Sequence, residues 1–216
     1  MIIKTNDETT INQARKISEK LAISDDLAYL LVKRGVDTAD AARKYLYPSI
    51  KELASPYEYS GMKEAVEKIS EHIEKGHKIV VYGDYDCDGI SAVTILMRAF
   101  GGRNININYY IPVRQEEGYG LNCEAIDKII RDFNPDLLIT VDCGITAVKE
   151  VKYALEKGLD VVVTDHHTIG AELPDCIVVD PCFNPQLTQF CGAGVAFTLV
   201  RALFGEEYAM RFIDVC

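Results

Sequence analysis

IVVYGDYDCDG (residues 79–89), LLITVDCG (137–144) and VVVTDHH (161–167) are three versions of one pattern: a short run apolar on both faces, followed at once by acids. Strands of a parallel sheet covered by helices on each side read this way. Two further β-branched runs, Ile105–Ile111 and Ile177–Val179, extend the series. Helical periodicity fills the gaps at about Ser91–Phe100, Cys123–Phe133, Ala147–Glu156 and Gly194–Phe204. The alternation predicts an α/β domain over residues 76–216, with a doubly wound, mainly parallel five-stranded sheet and helices on both faces.

Upstream, residues 1–75 read as an N-terminal helical extension. Ile11, Ala14, Ile17 and Leu21 recur at helical spacing, Thr38 can cap a helix through Leu46 that Pro48 ends, and Lys63 to Glu74 is amphipathic and closed by Gly76. The last residues, RFIDVC (211–216), are apolar and begin like a strand, and the expectation is a chain cut from a longer protein.

With 48% hydrophobic and 26% charged residues, the composition is that of a globular protein. No apolar run reaches the roughly 18 residues of a membrane span. The start, MIIKTNDETT, lacks the basic and apolar segments of a signal peptide, so a cytoplasmic location is expected. The seven cysteines are odd in number and none is spaced C-x-x-C, which predicts free thiols rather than a disulfide scaffold. The formal net charge of −10 is opposite to that of most free-standing nucleic-acid-binding domains. Work on a polyanion would require that cations neutralise the acids or that basic surface lie elsewhere.

The acids explain part of that charge. Asp84, Asp86 and Asp88 follow the first strand, Asp142 another, and Asp165, His166 and His167 another. Ligands of open α/β sheets bind outside the carboxyl ends of the strands, so three strands deliver acids to one edge. Crowded carboxylates repel one another, and divalent cations offset the cost. Carboxylates with one or two imidazoles suit Mn²⁺ or Mg²⁺, and a shared carboxylate between two ions is a phosphoesterase arrangement. Plainer readings compete. DYDCDG resembles the start of an EF-hand, but the twelfth loop position is Ile95 rather than Glu. Asp after a strand also serves as a helix cap, His166 and His167 can be surface residues, and a zinc site from those histidines with Cys176, Cys182 and Cys191 has no familiar spacing.

GDYDCDGI, VDCG and TDHH, in this order, resemble the first three motifs of the DHH phosphoesterase superfamily. RGVDTADAARKYLYPSIKEL, SGMKEAVEKI, IPVRQEEGYGLN and CGAGVAFTLVRAL are similar to the RecJ-type single-strand-specific exonucleases within it, a likeness running from about residue 25 to the end. The resemblance implies metal ligands at Asp86, Asp88, Asp142 and His166, with Asp142 shared by two ions, Mn²⁺ or Mg²⁺. It implies that Asp84 and Asp165 orient loops or ligands and that His167 faces the scissile phosphate. Arg114 is a candidate phosphate clamp, with a solvated loop arginine as its alternative. The implied reaction is 5′→3′ hydrolysis of single-stranded DNA to 5′-mononucleotides in repair or recombination, with a single-strand binding protein and a helicase as partners.

Two departures qualify the likeness. Tyr82 stands where many relatives carry a histidine, which would weaken one metal site. A fourth acidic motif, a DHH-associated domain and an oligonucleotide-binding domain are expected beyond RFIDVC, and without them the piece would be nearly inactive. The rival functions are a DHH phosphodiesterase of short RNA or cyclic dinucleotides, and a DHH fold kept as a non-catalytic scaffold.

Overall fold

The computed structural model describes residues 8–113, 118, 120–184, 186–187 and 190–216. Its contacts divide the chain after Leu53 into two units. The first holds α1 (Glu8–Leu21), α2 (Asp25–Lys33) and α3 (Ala39–Leu46) around a small core of Ala14, Ile17, Ala28, Leu31 and Ala42. Ser24 and Thr38 cap α2 and α3 by accepting from the amides of Leu27 and Ala41.

The second unit opens earlier than the pattern change after residue 75 had suggested. Helix α4 (Met62–Glu74) belongs to it, because its apolar side, with Met62, Ala65 and Ile69 fully buried, packs on the last strand and the last long helix of the sheet domain. The sheet comprises β1 (Ile79–Gly83), β2 (Ile107–Tyr110), β3 (Leu137–Val141), β4 (Asp160–Thr164) and β5 (Ile177–Val179). All neighbours pair in parallel, in the order β2-β1-β3-β4-β5. Crossovers are made by α5 (Cys87–Gly101), α6 (Cys123–Phe133) and α7 (Val148–Glu156), and α8 (Gly192–Phe204) follows β5. Side-chain alternation splits the core. Val80, Tyr82, Leu138, Val161 and Val163 pack with α6 and α7 on one face. Helices α5 and α8, which pack on each other, cover the other, and α4 lies on β5.

The predicted five-strand parallel sheet is present, with shifted ends. β2 is shorter than expected, and α5 starts at Cys87 rather than Ser91 because Asp86 caps it. RFIDVC is not a strand. After the short α9 (Glu206–Ala209), residues Met210–Phe212 tighten into a 3₁₀ turn, and Phe212 is buried edge-on against Tyr208, with centroids 5.5 Å apart. Among the described residues no helix is long and apolar enough to cross a membrane.

Gly61 fixes the join between α4 and β5. Its φ of +76° is left-handed, and a Cβ there would collide with the carbonyl oxygen of Val178. Gly61→Ala is expected to destabilise the protein by at least about 1–3 kcal/mol, the strain of such a conformation alone. Urea unfolding monitored by circular dichroism measures it, and an unchanged midpoint would contradict the close approach.

Candidate metal centre

β1, β3 and β4 are adjacent, so the acids that follow them share one carboxyl edge. Chain order reverses there, since β1 has β2 on one side and β3 on the other. Such a switch point opens a crevice between the loops.

Asp142 occupies the middle. It leaves β3 in a left-handed conformation, φ +59°, and is 2% exposed. Its Oδ1 lies 3.1 Å from Nδ1 of His166, and both atoms are buried without a hydrogen-bond partner among the described residues. Buried polar atoms are otherwise nearly always paired, and these two are both metal-donor atoms. Two groups of donor atoms within 4.8 Å of one another meet here: Asp142 with Asp165, His166 and His167, and Asp84 with Asp86 and Asp142. Asp142 is common to both. Oxygen donors with imidazole fit Mn²⁺ or Mg²⁺.

Asp165 organises the TDHH turn from within, at 1% exposure. Its Oδ1 accepts from the amides of His166 (2.7 Å) and His167 (3.3 Å) and lies 2.7 Å from Nδ1 of His167. Its Oδ2 accepts from the amide of Ile145, at 2.9 Å, which ties the turn to the loop after β3. The carboxylate can only accept, so Nδ1 of His167 carries a proton. Nε2 is the ring's other polar atom, on a side chain 42% exposed. Burial pulls the His167 pKa down, but the hydrogen bond to Asp165 and the charges of Asp165, Asp142 and Asp180 outweigh it and raise it above the ordinary value.

The first motif bends tightly. A Cβ on Gly89 would strike the backbone of Asp84. Asp84 is buried, and its Oδ1 accepts from the Tyr85 amide at 2.8 Å. Oδ1 of Asp86 caps α5 through the amides of Asp88 and Gly89, at 2.9 and 3.0 Å. Asp88 reaches across to α8: its Oδ2 accepts from the Gly192 amide and its Oδ1 from the Ala193 amide, both at 2.7 Å. Asp88 falls in neither donor group, yet its Oδ2 is 3.9 Å from Nε2 of His166 and each oxygen retains a second lone pair. The plain capping reading is therefore correct for Asp86, in addition to its place on this edge, whereas Asp88 sits within the first turn of α5 and holds amides of α8 instead. The EF-hand reading fails, because DYDCDG follows a strand and opens α5. No cysteine shares a donor group among the described residues, so the zinc alternative also gains no support.

Tyr82 is fully buried. Its hydroxyl donates to the Gly120 carbonyl at 2.8 Å and its ring stacks on Tyr110. Arg114 lies outside the described residues. Asp180, directly after β5, was not singled out by sequence, although IVVD repeats the strand-then-acid signal. It is fully buried, with Oδ1 accepting from the Cys182 amide at 2.7 Å and Oδ2 without a partner among the described residues. Beside His167 a cavity of about 380 Å³ opens, lined by Leu121, Gly144, Thr146, Glu150 and Asp165 among others.

The sequence model of the DHH family, N-terminal domain, matches residues 78–214. The chain is 42% identical over 199 residues to the single-stranded-DNA-specific exonuclease RecJ of Bacillus subtilis, covering 90% of this chain and 25% of that protein. It is 42% identical over 144 residues to RecJ of Thermus thermophilus, covering 66% of this chain and 21% of the relative. The crystal structure of RecJ in complex with Mn²⁺ from Thermus thermophilus matches at a TM-score of 0.72 and 33% identity, over 89% of this chain and 27% of that one. The chain thus spans a quarter or less of the length of these two curated relatives.

The electrostatics of this edge give a pH dependence. Burial, with the charges of Asp88 and Asp86, raises the Asp142 pKa to about 8. In an unfolded chain the same carboxyl titrates near about 3.9. Between those values the folded state holds a proton that the unfolded state has lost, so the stability of metal-free protein falls as pH rises through the window. Burial also raises Asp180, to about 6, which adds to the lower half. Thermal melts in chelator should show the midpoint dropping from about pH 5 to about pH 8, and a shallower drop in Asp142→Asn. Equal slopes in the two proteins would remove Asp142 as the cause.

Proposed function

This chain belongs to the DHH family, and from that premise we propose that it carries the core of a metal-dependent exonuclease that degrades single-stranded DNA from the 5′ end to 5′-mononucleotides. The observation that carries the reading is the buried pair formed by Asp142 Oδ1 and His166 Nδ1, two metal-donor atoms 3.1 Å apart that have no hydrogen-bond partner among the described residues. Asp86, Asp88, Asp142 and His166 are the residues that would hold Mn²⁺ or Mg²⁺, with Asp142 common to two ions. Bound there, the cations would supply Lewis-acid activation of water and neutralise charge on the phosphoryl oxygens.

The remaining side chains have work of their own. Asp165 fixes the ring of His167, so that Nε2 can donate to a phosphoryl oxygen as charge builds on it. The raised His167 pKa favours the doubly protonated ring that such a donor needs. Asp84 stiffens the first motif through the Tyr85 amide. Arg114 is the proposed clamp for a neighbouring phosphate.

Single-stranded DNA is favoured over short RNA or cyclic dinucleotides because the relatives at 42% identity are named for that substrate. A scaffold without catalysis is disfavoured by a full set of ligand-type residues in all three motifs. Cytoplasmic residence, and a single-strand binding protein and a helicase as partners in repair, complete the proposal.

The test is a digestion of end-labelled single-stranded oligonucleotide in Mn²⁺ by the intact protein that carries this core, with short RNA and cyclic dinucleotides in parallel. Asp142→Ala should lower turnover by at least on the order of 10³-fold while leaving the circular dichroism spectrum intact, and retention within about tenfold would sink the two-ion reading. A cyclic dinucleotide consumed faster than the DNA would overturn the substrate. The two histidines should separate: His167→Ala costs mainly turnover, about 10²–10³-fold, and His166→Ala mainly Mn²⁺ affinity, about 10–100-fold. Equal losses of Mn²⁺ binding by calorimetry would merge their roles.

A further inference from the structure

One contact at this edge is bought by a missing side chain. Gly192 begins α8, and its φ is not among the left-handed ones, so conformational freedom is not what glycine supplies there. Room is. A Cβ on Gly192 would stand 2.6 Å from both Cβ and Oδ1 of Asp142 and 2.8 Å from its Cγ. Asp142 is 2% exposed and cannot swing aside, so helix or carboxylate would have to shift. Gly194, two residues on, differs: a Cβ there meets the Phe190 ring at 3.0 Å, a side chain that can give way.

The same first turn of α8 holds Asp88, with one amide on each carboxylate oxygen. Two short bonds fix the plane of that carboxylate and use one lone pair of each oxygen. Close approach of the helix to Asp142 and orientation of Asp88 are therefore one geometric condition, met at residue 192.

We propose that Gly192 is a positioning residue of the metal centre: its bare Cα lets α8 lie against Asp142 so that the Gly192 and Ala193 amides set Asp88 with its remaining lone pairs free for a cation. This rests on the metal-centre reading above and goes beyond it by giving the glycine-rich start of α8 a role in ion binding. Gly192→Ala displaces the amides from Asp88 and leaves the ligand atoms chemically intact. The defect is in ion affinity, and excess ion repairs it.

The experiment measures Mn²⁺ binding by wild type, Gly192→Ala and Gly194→Ala, following the free-ion signal by electron paramagnetic resonance, with circular dichroism on each. Gly192→Ala should weaken Mn²⁺ binding about 10–100-fold, with the nuclease activity of the intact protein recovering as Mn²⁺ is raised, whereas Gly194→Ala should change affinity by less than about threefold. Equal affinity in wild type and Gly192→Ala, or equal loss in both variants, overturns the proposal. An assay independent of the variant's folding uses isotope-labelled wild type and Mg²⁺. Ion binding at Asp88 draws electron density from its oxygens, so the Gly192 and Ala193 amide protons should move upfield and saturate with the shifts of Asp142 and His166. If those shifts saturate and the two amides stay still, Asp88 is not set for the ion and the proposal fails while the metal centre stands. If wild type takes up neither ion, the metal-centre reading fails and this inference falls with it.

Discussion

A carboxylate oxygen at 2% residue exposure, facing an imidazole nitrogen across 3.1 Å with no hydrogen bond among the described residues, is a costly arrangement to fold around. The rest of the carboxyl edge can be understood from it. Asp142 must leave β3 in a left-handed turn to point into the crevice, and Gly144 must follow, since a Cβ there would lie 2.7 Å from Oγ1 of Thr140. Burial and the neighbouring acids then work against its ionised form. A cation reverses that balance, because the same low-polarity surroundings that penalise a lone charge strengthen an ion pair.

The protein limits repulsion among the other acids by giving each one backbone amides. Asp84 takes the Tyr85 amide, Asp86 the start of α5, Asp88 the start of α8, and Asp165 three amides from two loops. Amide donors hold a carboxylate in place without adding opposite charge, so the site stays anionic enough to attract divalent ions yet rigid. Two helices of 15 and 13 residues begin at this edge, and their positive ends face the same acids. The net charge of −10 is concentrated in part where the fold can support it.

The sheet was legible from sequence because the inner strands β1, β3 and β4 are apolar on both faces, and β1 and β3 are each followed by a helix with its own period, so these strands needed no tertiary information. Helix starts were less legible: α5 begins four residues early because Asp86 acts as a cap, which was weighed only as a rival to metal binding. RFIDVC deceived because apolar content alone does not separate a strand from a helical turn whose Phe212 is buried. Helix α4 was assigned to the extension since its packing on β5 and α8 depends on contacts more than a hundred residues away, which no local pattern records. At the site, the convergence of three acidic motifs is legible because each directly follows a strand, but the clamp of α8 on Asp88 is not. Asp180 could have been found, had the rule applied to three strands been applied to the next.

That clamp also orders events in time. The bonds between Asp88 and residues 192 and 193 span 104 and 105 positions. Closing so long a loop must await contacts that repay its entropy. On the ribosome, where the chain emerges from its amino end, β1 and the first motif are exposed well before α8 exists. Until then Asp86 and Asp88 share a solvent-facing turn, and α5 lacks the helix that covers it. The clamp on Asp88 therefore cannot close before residues 192 and 193 have been made.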